Sequence, residues 1–128
     1  AATGDPQVSR AVFEDGEALG VWVNCADDPD SCSFTLPAVL RRGPLTVAVS
    51  TSGASPALAR WIRERLAEQI GPEYAQLADL LSEQRQALRA AGRSTEEADW
   101  QGAIGPDMLE LLRAGEVEAA RERLRSCL

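Results

Sequence analysis

A hydroxyl-rich loop is the segment of this sequence best suited to hold an anion. It reads Ser50-Thr51-Ser52-Gly53-Ala54-Ser55-Pro56 and overlaps the end of a β-branched run, residues 45–51, that predicts a strand. Ser55 suits the N-cap of a following helix, and Pro56 its first turn, where a missing N–H costs nothing. Unpaired N–H groups and the positive end of the helix dipole attract phosphate or carboxylate. A well-capped helix start without a ligand explains the same residues, so the spacing leaves both interpretations open.

Positive charge is concentrated around this loop. Residues 31–63 contain four arginines and no acidic residue, whereas the whole chain has a formal net charge of −7. All 13 basic residues of the chain are arginines, whose planar, permanent charge suits carboxylate and phosphate. Nucleic acid usually requires an extended basic face. We therefore expect a compact anion as ligand and no nucleic-acid partner.

Three aspartates, Asp27, Asp28 and Asp30, follow a short β-prone run at residues 21–24. The chain contains no histidine, so general-base chemistry near neutral pH falls to a carboxylate or a thiolate. Ligands of open α/β sheets bind beyond the carboxyl ends of the strands, which favours Asp27 or Asp28 as the base or as a metal-orienting group. An Asp/Pro turn that only caps the next helix is the alternative.

The three cysteines, Cys25, Cys32 and Cys127, form no Cys-x-x-Cys pair. The spacing of Cys25 and Cys32 matches no standard zinc site, so we predict buried, reduced thiols and no bound metal. With 128 residues, 45% of them hydrophobic, the chain can bury one core or two small ones. No apolar run approaches the roughly 20 residues that cross a bilayer. The first residues resemble no signal peptide, and we expect a cytoplasmic protein without a membrane partner.

The hydrophobic periodicity predicts an α/β N-terminal half and an all-helical C-terminal half, with the break near Gly71. Strands are expected at residues 21–24 and 45–51, and a helical turn at 34–40. Helices are expected at 6–18, 56–70, 73–91, 107–114 and 116–128. A capping box that begins at Ser94 predicts a further short helix that reaches Trp100 or beyond.

Several of these segments together resemble one known family. Asn24-Cys25-Ala26-Asp27-Asp28, Arg42-Gly43-Pro44-Leu45 and the loop that continues from Ser50 to Arg60 are similar to the sirohaem synthase family, the precorrin-2 dehydrogenase/sirohydrochlorin ferrochelatases. The resemblance is continuous from Ala1 to about Leu66, and the later part matches only in being helical.

The resemblance implies an α+β fold: a partial Rossmann-like half with a dimerisation strand, followed by an all-helical C-terminal domain. It divides the chain into residues 1–36 of a dinucleotide-binding domain, a dimerisation and anion-loop segment at 37–71, and a helical domain at 72–128. It also implies NAD-dependent oxidation of precorrin-2 to sirohydrochlorin and, in many members, insertion of ferrous iron to give sirohaem. A precorrin carries many carboxylate side chains, which agrees with the cationic surface.

The resemblance also assigns site residues. Asp27 falls on the family's catalytic aspartate and would act as the base in dehydrogenation and in proton removal from pyrrole nitrogens. The implied tetrapyrrole-binding residues lie at the end of the 21–24 run, in the hydroxyl loop and on the next helix: Asn24, Ser50, Thr51, Ser52, Gly53, Ser55 and Arg60. Ala2 and Thr3 are implied as contacts of NAD.

The sequence departs from the family in three places. No Gly-x-Gly-x-x-Gly occurs in the 128 residues, so we expect the C-terminal portion of a family member, without the first half of the nucleotide fold, and poor binding of NAD. Ser52 replaces the usual first glycine of the loop, and Cys25 replaces a valine.

Two other functions remain open. One is a non-catalytic dimerising module that holds a tetrapyrrole or delivers metal; the other is a helical interaction protein whose loop only caps a helix. A lone strand at residues 45–51 would leave an unpaired edge, which predicts a homodimer.

Overall fold

The computed structural model describes residues 1–26 and 28–128. These residues form α1 (Pro6–Leu19), a 3₁₀ turn (Pro29–Ser31), β1 (Ala38–Arg42), β2 (Leu45–Val49), α2 (Pro56–Gln69), α3 (Glu73–Ala90), α4 (Trp100–Ala103), α5 (Pro106–Arg113) and α6 (Val117–Cys127). The predicted α+β class is confirmed. None of the helices in the described ranges combines the length and the apolar character that a bilayer crossing requires.

The chain divides into two compact units. One contains residues 1–39 and 48–64, and the other contains residues 40–47 and 65–128. The three segments implied by the resemblance (1–36, 37–71 and 72–128) stay a prediction.

In the first unit, α1 packs closely on the segment that follows it. The Asp5 side chain caps the helix by accepting from the backbone N–H of Gln7 at 2.9 Å. A Cβ on Gly16 would lie 2.2 Å from Val23 Cγ2, so only glycine permits this approach. The segment after α1 therefore returns directly along the helix.

The strand expected at residues 21–24 is not formed among the described residues. Ala1 N donates to Asn24 O, and Ala26 N donates to Ala1 O at 2.7 Å, which is the bonding pattern of parallel neighbours. The pairing stops there because the chain turns at Gly4 (φ 69°) and enters α1 after Asp5. The two runs thus lie side by side without a regular ladder.

The helical turn expected at residues 34–40 is wrong, because β1 pairs with β2 in a hairpin. Gly43 and Pro44 form its two-residue loop, and Gly43 has φ 54°, as the primed hairpin turns require at their first position. The strand predicted at residues 45–51 therefore pairs with β1, so the prediction of a lone strand is wrong and does not support a homodimer. Pro37 lies just before β1, where a proline removes no hydrogen bond from the strand pair.

The second unit is built on a helical core. The packed cluster at the centre of this core comes from α3, α4, α5 and α6: Leu77, Leu80, Ala103, Met108, Leu112, Ala120 and Leu124. The four predicted long or moderate helices after residue 55 form close to their expected bounds. The capping box at Ser94 does not start a helix; Asp99 caps α4 instead, accepting from Gly102 N at 2.9 Å.

Two charged side chains of this unit join its elements. Arg42 Nε donates to Ile70 O at 2.9 Å and Nη2 donates to Ala67 O at 3.3 Å, which satisfies carbonyls at the end of α2. Glu73, buried at the start of α3, accepts from Arg113 Nε of α5 at 2.8 Å. The guanidinium of Arg42 is thus used to hold the end of α2.

Candidate functional site

Two segments of the first unit that are distant in sequence line a single cleft of about 280 Å³. Asn24, Ala26 and Asp28 contribute from one segment, and Ser50, Thr51 and Gly53 contribute from the other. Asp27, the predicted base, lies outside the described residues. The residues on both of its sides nevertheless line this cleft together with the hydroxyl loop.

Hydrogen bonds to the chain ten residues further on hold the first segment. Asn24 Nδ2 donates to Phe34 O at 2.9 Å. Ser33 N donates to Val23 O at 2.7 Å, and Val23 N donates to Ser33 Oγ at 3.3 Å. The Asn24 side chain is therefore used to close the loop of residues 24–34, and it also lines the cleft.

The thiol of Cys32 fills the inside of this loop. Cys25 N donates to Cys32 Sγ at 3.2 Å. The same sulfur lies 3.3 Å from Cys25 O and 3.2 Å from Asp28 O, either of which can accept its proton. Cys25 is buried and its own thiol donates to Ser9 O at 3.5 Å, whereas Cys127 is exposed; all three thiols are free. Burial is thus as expected for Cys25 and only partial for Cys32.

The hydroxyl loop turns sharply at Ser52 and Gly53, which have φ 51° and φ 86°. Ala54 N donates to Thr51 O at 3.0 Å across this turn. Ser52 is the single non-glycine residue with positive φ in the described part of the chain, and it stands where the family resemblance expects glycine. A side chain in this backbone region costs free energy.

The serine and threonine hydroxyls of the loop accept from its own backbone. Ser50 Oγ accepts from Ser52 N at 3.1 Å, Thr51 Oγ1 from Ser55 N at 2.9 Å, and Ser55 Oγ from Leu58 N at 3.2 Å. The predicted N-cap at Ser55 is confirmed. Because these N–H groups already have partners, the donors left for an anion are mainly the hydroxyl protons.

Two of the four arginines near the loop, Arg60 and Arg63, line a neighbouring cavity of about 530 Å³ on α2. Pro56 and Ala59 line both this cavity and the cleft. Arg63 Nη2 pairs with Glu64 at 2.8 Å. Positive charge thus lies next to the cleft, while Ser52, Ser55 and Arg60 do not line the cleft itself.

The residues implied as NAD contacts do not fit a dinucleotide by themselves. Thr3 Oγ1 lies 2.9 Å from Ser9 Oγ and donates to Asp5 O at 3.1 Å, so this hydroxyl is engaged at the start of α1. The glycine-rich turn that seats a pyrophosphate is not among the 128 residues. Residues 1–26 and 28–128 also contain no group of three or more His, Cys, Asp or Glu side chains placed to hold a metal ion.

Two family models match consecutive parts of the chain. Residues 1–38 match the family model described as putative NAD(P)-binding, and residues 42–69 match the model described as sirohaem biosynthesis protein central. A nucleotide-binding match is thus followed along the chain by a sirohaem-biosynthesis match.

Individual relatives extend the match to the whole chain. It is 37% identical over 134 aligned positions to a siroheme synthase of Methylobacillus flagellatus, covering 100% of this chain. It is 37% identical to a siroheme synthase of Nitrosomonas europaea, again over 100% of this chain. Among solved structures it is similar to SirC, a precorrin-2 dehydrogenase, with a TM-score of 0.52 and 27% identity over 74% of this chain. The chain is thus related to the siroheme synthases, and the resemblance to this family is confirmed.

The chain spans 28% and 27% of the length of these two relatives and 46% of the SirC chain. The nucleotide-binding match agrees with NAD as the cofactor of the family.

Proposed function

We propose that this chain forms the tetrapyrrole-binding part of a sirohaem-forming enzyme. The observation that carries the proposal is the cleft itself: residues on both sides of Asp27 and the loop of Ser50, Thr51 and Gly53 line the same cavity. The related siroheme synthases and precorrin-2 dehydrogenase supply the reaction class. The reactions proposed are oxidation of precorrin-2 to sirohydrochlorin and insertion of ferrous iron, the metal substrate, to give sirohaem.

The size of the cleft limits how the macrocycle is held. Its volume, about 280 Å³, lies just below the usual range of roughly 300–1,000 Å³ for pockets that enclose a small ligand. A tetrapyrrole would therefore insert one edge and leave the remaining rings outside. The hydroxyl protons of Ser50 and Thr51 would donate to a carboxylate or pyrrole substituent at that edge.

Charge beside the cleft suits the rim of such a ligand. Arg60 and Arg63 line the adjoining cavity, where planar guanidinium groups would pair with peripheral carboxylates. Ser52 and Ser55 would act indirectly, by setting the turn and the start of α2. Together with Asn24 and Gly53, these residues form the proposed substrate surface.

Asp27 is proposed as the proton acceptor. Insertion of Fe²⁺ releases two protons from pyrrole nitrogens, so charge is conserved while a base removes the protons. A carboxylate is ionised at neutral pH and needs no histidine for this step. In the oxidation, the same group would take the proton that leaves the carbon skeleton.

NAD-dependent oxidation is proposed for a polypeptide that also carries a pyrophosphate cradle. NAD supplies a hydride acceptor when it is bound, and Ala2 and Thr3 would lie at one side of it. The residues described here would contribute the base and the tetrapyrrole surface. Metal insertion needs no dinucleotide. We therefore expect this chain alone to bind sirohydrochlorin and to insert iron into the bound tetrapyrrole.

We also propose a homodimer in the cytoplasm. The hairpin of β1 and β2 has only two strands, and a two-stranded hairpin is marginally stable without further cover. Leu58 and Trp61 on α2 are 47% and 56% exposed, which adds apolar surface to bury. Light scattering at micromolar concentration tests the dimer, and a monomeric mass would contradict it.

Titration of sirohydrochlorin into the chain tests the proposal. We expect saturable binding, seen as a shift of the tetrapyrrole absorption, with no effect of NAD, followed by metal insertion when Fe²⁺ or the stand-in Co²⁺ is added. Binding without insertion would favour a non-catalytic tetrapyrrole-holding or metal-delivering module. Absence of binding would favour a helical interaction protein and would overturn the proposal.

A further inference from the structure

The side chain of Cys32 contacts the backbone both before and after position 27. Its sulfur accepts from Cys25 N at 3.2 Å, two residues before that position. It also lies 3.2 Å from Asp28 O, one residue after it. A single side chain thus contacts the backbone on both flanks of the predicted base.

The same sulfur contacts a residue that lines the cleft. Asn24 Nδ2, whose main partner is Phe34 O, lies 3.6 Å from Cys32 Sγ, and Cys32 is itself among the residues that line the cleft. Cys25 is 3% exposed, so its backbone N–H has little access to water. Without the sulfur, that buried donor would lose the partner described above.

We propose that Cys32 is a positioning residue for the proton acceptor of this cleft. It does not touch the reacting atoms; it holds the backbone at Cys25 and at Asp28, the described flanks of position 27, by accepting from Cys25 N and donating to Asp28 O. The proposal rests on the proposed function, because it assigns Cys32 a role in metal insertion. The chemistry needed is an acceptor and a donor on one short side chain, which a serine also supplies but alanine and valine do not.

The test compares four substitutions in this chain: Cys32→Ser, Cys32→Val, Cys32→Ala and Cys127→Ser. Metal insertion into sirohydrochlorin is followed by absorbance, giving kcat, KM and the dependence of kcat on pH. Cys127→Ser is the control for loss of a thiol, since Cys127 is exposed and lines a different cavity. Thermal unfolding of each variant checks that the first unit remains folded.

We expect Cys32→Val and Cys32→Ala to lower kcat by about 10- to 100-fold, the range that a small misplacement of a catalytic group produces. KM should change little, and the apparent pKa in the kcat profile should move, because the surroundings of the base are altered. Cys32→Ser should restore kcat to within about threefold of the unsubstituted chain, a difference of less than 1 kcal/mol. Cys127→Ser should match the unsubstituted chain.

Two results would overturn the proposal. One is Cys32→Val or Cys32→Ala with unchanged kcat and pH profile; the other is Cys32→Ser as impaired as Cys32→Val. If Cys32→Ala fails to fold, the contrast between Cys32→Ser and Cys32→Val decides alone. An unsubstituted chain that binds no sirohydrochlorin would instead show that the proposed function has failed.

Discussion

Glu73 and Arg113 form an ion pair that joins the start of α3 to α5: both Nε and Nη2 of Arg113 lie 2.8 Å from Glu73 Oε1. Glu73 is buried, while the Arg113 side chain is 51% exposed. A hydrogen bond from the backbone N–H of Glu73 lowers the pKa of its carboxyl below the ordinary value of 4.5; burial opposes this shift, and Arg113 adds to it. The ionised form of Glu73 is therefore the form that the fold stabilises.

A lowered pKa in the folded state makes the stability depend on pH. The stabilisation is present above the carboxyl pKa of the unfolded chain and is lost as pH falls through the lower pKa of the folded chain. At pH 7 we expect Glu73→Gln to reduce the free energy of unfolding by about 1.5 kcal/mol, the lower end for bonds to charged groups, because Arg113 remains solvated. Urea denaturation at a series of pH values measures this difference.

An exposed pair of the same type provides the control. Arg10 and Glu14 are both more than half exposed and lie one helical turn apart on α1. Glu14→Gln should leave the free energy of unfolding nearly unchanged at any pH, because solvent screens an exposed ion pair. A gap between Glu73→Gln and the unsubstituted chain that did not shrink below pH 4.5 would contradict the explanation.

A substitution at Ser52 is expected to stabilise the fold instead of destabilising it. Its φ of 51° places a side chain in the left-handed region, so Ser52→Gly should raise the free energy of unfolding by about 0.5–1 kcal/mol, after the added entropy of the unfolded chain is subtracted. Ser52→Ala keeps the Cβ and serves as the matched control. Equal stability of the two variants would show that the strain of this turn is not released by glycine.

Arg60 should contribute to binding, not to folding. Arg60→Gln is expected to weaken sirohydrochlorin binding by about tenfold at low salt, as loss of a charge-assisted contact does, and by less at high salt because of screening. Arg41→Gln is the control, because Arg41 is exposed and lines none of the cavities around the cleft. Isothermal titration at two salt concentrations separates the variants; equal losses for both would remove Arg60 from the site.

The helices could be predicted from the sequence because their signals are local. Asp5, Ser55 and Pro56 mark helix starts, and the apolar repeat of α3 marks its buried face. The hairpin was missed because its pairing depends on a partner strand, β1, whose short run after Pro37 has no strong pattern of its own. Likewise, the run after α1 resembles a strand in sequence, but only Ala1 pairs with it. The residues after Ala1 do not continue the pairing, because the chain turns at Gly4.

The site was predictable only in part. The chemistry of the hydroxyl loop is visible in its residue types, and the structure brings it to the cleft beside Ala26 and Asp28. The use of Arg42 to cap α2 depends on a contact 28 residues away, which no spacing rule reveals. The contacts of Cys32 could not be predicted either. A half-buried thiol that forms hydrogen bonds with the backbone of Cys25 and Asp28 has no characteristic sequence motif.

The most direct measurement is the rate of metal insertion into sirohydrochlorin by Asp27→Asn, compared with Asp30→Asn. Both substitutions remove one carboxylate from the same acidic run, but Asp30 is exposed and does not line the cleft. If Asp27 is the proton acceptor, Asp27→Asn should bind the tetrapyrrole and lose insertion by about 100-fold or more, within the contribution of general acid–base catalysis, while Asp30→Asn retains it. Unchanged insertion by Asp27→Asn would contradict the central proposal.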